Sequence, residues 1–148
     1  MLTVVFLTIR IAALLTTTGH DAADAALFAT ACVRESTPLV SPERLCAVAY
    51  VESKMTYRAV NAGGHCGAWQ QHPRWTVDFS DDGPVSCEEL MDVPTAARIA
   101  ARHLTRLEAR PRGQRAPLCR YAGATGERCR AYTNAVARAE RRLTGDER

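Results

Sequence analysis

Six cysteines spread from Cys32 to Cys129 constrain this chain more than any other feature of it. An even set at wide, irregular spacings is the pattern of a disulfide framework. No Cys-x-x-Cys pair and no finger-like ligand spacing supports a zinc site, and His65, Cys66, His72 and Cys87 cluster only loosely. Neither a metal nor any other cofactor is expected. Six cysteines allow about 15 pairings. The local set Cys32–Cys46, Cys66–Cys87 and Cys119–Cys129 is the expected one, because each bridge would close one helix-loop unit.

A disulfide framework implies an oxidising compartment, and the start of the chain agrees. Residues 1–18 are largely apolar, polar Gly19-His20-Asp21 follows, and Ala23-Asp24-Ala25 fits an Ala-x-Ala cleavage pattern. Residues 1–25 are therefore read as a removable export signal, leaving a domain over 26–143 and a tail over 144–148. No positive residue precedes the apolar run and Arg10 interrupts it, so an uncleaved membrane anchor or a buried first helix stays open. The expected location is the periplasm or the cell exterior.

The chain has 148 residues, enough for one domain. Aromatics supply only 6% and alanine much of the apolar count, which suits closely packed helices. Leu27, Phe28 and Cys32 recur at helical spacing up to about Glu35, and Thr37-Pro38 breaks that run. Ser41-Pro42-Glu43 is a helix start, with an N-cap, a proline at the first helical position and an acid in the first turn. That helix should reach about Met55. From Thr56 to Asp92 periodicity vanishes, and a long looped insert with a hairpin near Gly67–Gln71 is expected.

Helical pattern resumes at Pro94, with Ala96, Ala100, Leu104 and Leu107 on one face and Arg98, Arg102, Arg106 and Arg110 on another. Pro111-Arg112-Gly113 should end it. A short element around Leu118–Tyr121 precedes a last helix carrying Cys129, Tyr132, Val136 and Ala139 or Leu143. The fold class is mostly α: a single domain with one irregular insert, stapled by disulfides.

Leu45, Ala49 and Glu52 fall at i, i+4 and i+7, so Glu52 shares a face with apolar residues. A desolvated carboxyl holds its proton towards neutral pH, as a general acid must. A boundary Glu paired with an arginine is the competing reading. His20 and His103 read as surface residues. From Pro94 onward 13 arginines face five acidic residues, and the net charge is +3. Such a surface suits a cell wall, an anionic membrane or nucleic acid, and export argues against nucleic acid.

Tyr50-Val51-Glu52-Ser53, then Gly67-Ala68-Trp69-Gln70-Gln71, then Leu118-Cys119-Arg120-Tyr121-Ala122-Gly123, resembles the lytic transglycosylase and goose-type lysozyme superfamily over roughly Ser41 to Leu143. The resemblance implies a lysozyme-like fold and cleavage of peptidoglycan glycan strands at the MurNAc-β-1,4-GlcNAc bond. Glu52 matches the catalytic acid, Ser53 its neighbour, Gly67 and Gln70 the second motif, and Tyr121 the tyrosine that approaches the carboxyl. The third motif lacks the family's Asn, and Ala68-Trp69 replaces its Leu-Met. Trp69 is then either a platform for a sugar ring or a plug in the core. Gly67 would let a ligand approach the backbone, and Gln70 would offer a donor and an acceptor to sugar hydroxyls.

Hydrolysis would call for a second carboxylate, and Asp78, Asp81 and Asp82 are the candidates in the insert. They lie beside Gly83-Pro84 in a run that reads as a solvated turn. The expected chemistry is therefore transglycosylation to 1,6-anhydromuramyl ends by Glu52 alone, with a hydrolytic lysozyme as the alternative. The rival of another class is a non-catalytic module that binds wall polymer through its arginines. The expected partner is peptidoglycan, met as a monomer, in the setting of a secretion apparatus, a phage particle or a lysin.

Overall fold

The computed structural model describes residues 1–15, 19–111 and 116–146. Arg112 and Gly113 of the expected helix stop, Thr16–Thr18 of the leader and the last two residues of the tail lie outside them. Among the described residues six α-helices follow one another: α1 (Leu2–Leu15), α2 (Ala22–Glu35), α3 (Pro42–Ser53), α4 (Val93–Glu108), α5 (Pro117–Tyr121) and α6 (Gly126–Thr144). Among the described residues there is no strand, only isolated bridges. The mostly α, single-domain class read from the sequence is what the chain forms.

The helix starts obey local chemistry. Ser41 caps α3 by accepting from the Arg44 N–H, with Pro42 at the first position. Asp92 caps α4 in the same way, and Asp21 and Asp24 form a reciprocal capping box at the head of α2. His20, read as a surface residue, turns its Nδ1 to Asp24 at 3.2 Å, with a side chain only 12% exposed.

α2 packs on α1, α3 and α4, while α3 lies against α6. One core results, running from Leu7, Ile11 and Leu14 through Phe28, Leu45 and Val48 to Ala100, Leu104 and Val136. Arg44 ties α3 to its neighbours through Glu140 on α6 at 2.7 Å and Glu108 on α4 at 3.4 Å. α1 is docked by Leu7, Ile11, Leu14 and Leu15, leaving Leu2, Val5, Phe6 and Ile9 exposed. No described helix is long and apolar enough to cross a membrane. A cut after Ala25 would remove α1 and the first turn of α2.

The insert builds a second small core against α4, from Cys66, Val85 and Leu90 with Ile99 of that helix. Antiparallel bridges pair Cys66 with Val60 and with Gln71, forming the expected tight turn around Gly67–Gln71. All three local cysteine pairs are bonded: Cys32–Cys46, Cys66–Cys87 and Cys119–Cys129. The arginine stripe of α4 grips this insert rather than standing wholly in solvent. Arg102 donates to the Phe79 carbonyl at 3.1 Å and to Asp81 at 2.7 Å, and Arg106 lies over the Phe79 ring.

Candidate active site

Glu52 sits in the last turn of α3, where the helix is stopped abruptly. Lys54 and Met55 both adopt left-handed backbone, with φ of 56° and 59°, and their N–H groups return to the Tyr50 and Ala49 carbonyls. Met55 is fully buried, so the core pulls the chain through this turn. Glu52 is left at the rim, half-buried. Burial pushes its carboxyl pKa above the ordinary value of 4.5, against a smaller lowering by the Tyr132 hydroxyl. That hydroxyl donates to Glu52 Oε1 at 2.5 Å.

The Glu52–Ser53 pair and the Gly67–Gln71 turn are joined directly. The Ser53 hydroxyl donates to the Ala68 carbonyl at 2.8 Å and accepts from the Thr56 N–H at 3.0 Å. Ser53, expected at the substrate, clamps the turn to the end of α3 through these bonds. Gly67 has φ of 75°, and a Cβ there would lie 1.9 Å from the Leu90 carbonyl oxygen. A close approach of the chain's own backbone is enough to demand glycine here.

Trp69 is fully buried, donates to the Leu45 carbonyl at 2.9 Å and packs on Phe28 with ring centroids 5.7 Å apart. It is the core plug and not the sugar platform: a buried indole needs both apolar cover and a partner for its N–H, and here it has both.

Tyr121, expected to hold the Glu52 carboxyl, does not bond it. Its hydroxyl donates to the Trp69 carbonyl at 2.9 Å and accepts from the Gln71 side-chain amide. Tyr132 occupies the position at the carboxyl instead. Burial and the neighbouring Glu52 charge push both phenols above their ordinary pKa, so each stays a neutral hydroxyl. Tyr132 already shared a stripe with Cys129 and Val136, but nothing in that pattern says that α6 crosses α3 at Glu52.

Beside this pair opens a cleft of about 250 Å³, lined by Gln70, Gln71, His72, Trp75, His103 and Tyr121 among others. Glu52 does not line it; it adjoins it through Tyr121, which feels the Glu52 charge. Gln70 is in left-handed backbone, with φ of 48°, and its amide nitrogen is used on the Gly67 and Ala59 carbonyls at 3.0 and 3.3 Å. Its amide oxygen is the group it can turn to a ligand.

His103 is not a surface residue. It stacks on Phe79 at 4.4 Å and lies 4.9 Å from the Tyr121 ring, with its Nδ1 buried and unpaired. Burial, then Arg106 and Arg110, lower its pKa to about 4, with Asp78 opposing. One signal could have found it: Ala96, Ala100, His103 and Leu107 share the i, i+4, i+7, i+11 spacing of a buried face.

The three aspartates lie on the surface of the insert, as a solvated turn should. Asp78, Asp81 and Asp82 are exposed, and Asp81 is engaged by Arg102. None of them is a hydrogen-bond partner of Glu52 or a cause of its raised pKa. Among the described residues no group of three or more His, Cys, Asp or Glu is placed to hold a metal ion.

A half-buried carboxyl with a raised pKa beside a polar cleft can give a proton to a ligand oxygen and take one back. No curated protein and no solved structure matches the chain. The transglycosylase SLT domain family matches it over residues 31–143, from the middle of α2 to the end of α6 and across the whole site. The protein is a member of the transglycosylase SLT domain family.

Proposed function

We propose that this protein cleaves peptidoglycan between N-acetylmuramic acid and N-acetylglucosamine, using Glu52 as both acid and base. The carrying observation is the Glu52 carboxyl, raised in pKa by burial and held by Tyr132 within the family-matching segment. Protonated Glu52 gives its proton to the glycosidic oxygen, the C1–O bond breaks, and the N-acetylglucosamine side leaves as an alcohol. The Glu52 carboxylate then takes the proton of the muramyl C6 hydroxyl while O6 bonds to C1. A 1,6-anhydro ring closes and Glu52 is protonated again. No water and no second carboxylate enters.

The position of the aspartates supports the one-carboxylate route. A hydrolytic pair needs its carboxyl groups within about 5–10 Å of each other, flanking the scissile bond. Asp78, Asp81 and Asp82 are all exposed, and Asp81 is taken up by Arg102. Mass spectrometry of the digest tests this reading, because an anhydro end is one water lighter than a reducing end. Anhydro ends are expected. Predominantly reducing ends, lost in Asp78→Asn, Asp81→Asn or Asp82→Asn, would make the enzyme a lysozyme.

The same reading puts the protein at work outside the cytoplasm, which a peptidoglycan substrate and three disulfides support, and takes residues 1–25 as a leader removed on export. The intact mass of the exported protein reads this directly. A mass that retains Met1 would make α1 a permanent helix of the domain.

A further inference from the structure

Trp75 belongs to a short 3-10 helix, Pro73–Asp78, and the residue is 58% exposed on the wall of the cleft. That helix is pinned. The Thr76 hydroxyl is buried, donates to the Pro73 carbonyl at 2.7 Å and accepts from the Val85 N–H at 2.7 Å. His72 starts the helix by accepting from the Arg74 N–H at 3.2 Å, and the Cys66–Cys87 bridge closes the surrounding loop. A fixed backbone limits how far the indole can fold away from solvent.

The rings around it continue the wall. His72 lies 6.4 Å from Trp75, centroid to centroid, and His65 meets His72 edge-on at 5.3 Å. Gln70, Gln71 and Tyr121 line the same cleft. Isolated surface aromatics are ordinary in proteins. Trp75 differs by its setting: a large flat apolar face on a pinned turn, in a concavity also lined by Gln70, whose amide oxygen is left for a ligand, and by Gln71 and Tyr121. That combination suits a ligand with an apolar face and a polar rim. A pyranose ring is such a ligand, with C–H bonds on its faces and hydroxyl or acetamido groups at its edge.

We infer that Trp75 is the platform on which one N-acetylated hexose of the glycan strand stacks, the role that the buried Trp69 cannot take. The inference rests on the proposed function for the identity of the strand. Trp75 acts by binding and positioning, and it takes no part in proton transfer. Its loss should therefore raise KM and leave kcat nearly unchanged.

The chain has two tryptophans, so the test can separate them optically. Tri-N-acetylchitotriose, titrated into the full-length protein, should shift the emission of Trp75 to the blue as the indole is covered. In Trp75→Phe the remaining signal comes from buried Trp69 and should not respond. Trp75→Ala should raise KM for soluble wall glycan by about tenfold, with Trp75→Phe in between and melting temperatures equal to wild type. An unchanged KM in Trp75→Ala overturns the inference even if the wild type digests wall. Emission that chitotriose does not move overturns it as well. If chitotriose shifts Trp75 but the wild type leaves wall intact, the sugar subsite stands and the proposed reaction fails.

Discussion

The Tyr132 hydroxyl donates a 2.5 Å hydrogen bond to Oε1 of Glu52, joining α6 to the last turn of α3 across 80 residues of sequence. The bond works against burial. Desolvation raises the Glu52 pKa, while a donor on the carboxylate lowers it. Tyr132 thus sets how far the carboxyl keeps its proton, and it fixes which way the carboxyl points.

Removing only that hydroxyl gives the first prediction. In Tyr132→Phe the lowering influence is gone, so the Glu52 pKa rises further. With Glu52 as the acid of the proposed reaction, kcat/KM falls as pH climbs through its pKa. The alkaline limb of the pH–rate profile should therefore move to higher pH in the variant. A limb that stays in place, or moves to lower pH, would mean that Tyr132 does not govern the working carboxyl.

Gly67→Ala gives the second. Its Cβ would meet the Leu90 carbonyl at 1.9 Å, in backbone that disfavours a side chain. Overpacking and left-handed strain together should cost about 2–4 kcal/mol. Thermal unfolding measures it. A melting temperature equal to wild type would show that the insert can rebuild around Leu90.

Much of this site was legible in the sequence, and the boundary has physical causes. The start of α3 and the inward turn of Glu52 follow from Ser41-Pro42 and from the i, i+4, i+7 spacing, both local properties. The cysteine pairing was legible because each bridge spans one helix-loop unit. Whether Trp69 plugs the core or faces a sugar was not legible, because the insert has no period to say which way an indole points. Tyr121 and Tyr132 changed places for another reason. Which tyrosine meets Glu52 depends on the crossing of α3 and α6, a tertiary relation that neither helix encodes alone. The sequence places Arg102 on an arginine face of α4, but its bonds to Asp81 and the Phe79 carbonyl depend on how the insert packs there, which no helical spacing encodes.

The third prediction concerns acid. His103 titrates at about 4 in the fold, below its ordinary 6.5, because burial and Arg106 and Arg110 disfavour its charge. A depressed folded pKa gives stability that is present above about pH 6.5 and lost as pH falls through about 4. Glu52 acts oppositely: its raised pKa gives stability that is present below 4.5 and lost as pH rises through the folded value. The comparison must therefore be between variants. His103→Phe, which keeps a ring between Phe79 and Tyr121, should lose less melting temperature than wild type between pH 7 and pH 4. Parallel curves would contradict the assignment of His103 as a buried neutral imidazole.

The most direct measurement is wall digestion by Glu52→Gln beside wild type, with unfolding followed on the same samples. Glutamine keeps the size and the acceptor for Tyr132 but has no proton to transfer. Turnover should fall by at least about a hundredfold, the lower end for acid–base catalysis. Stability at neutral pH should be equal or higher, since a neutral amide replaces a carboxyl whose ionisation burial opposes. Near wild-type digestion by the folded variant would contradict the account: the carboxyl that Tyr132 holds would not be the one that cleaves the strand.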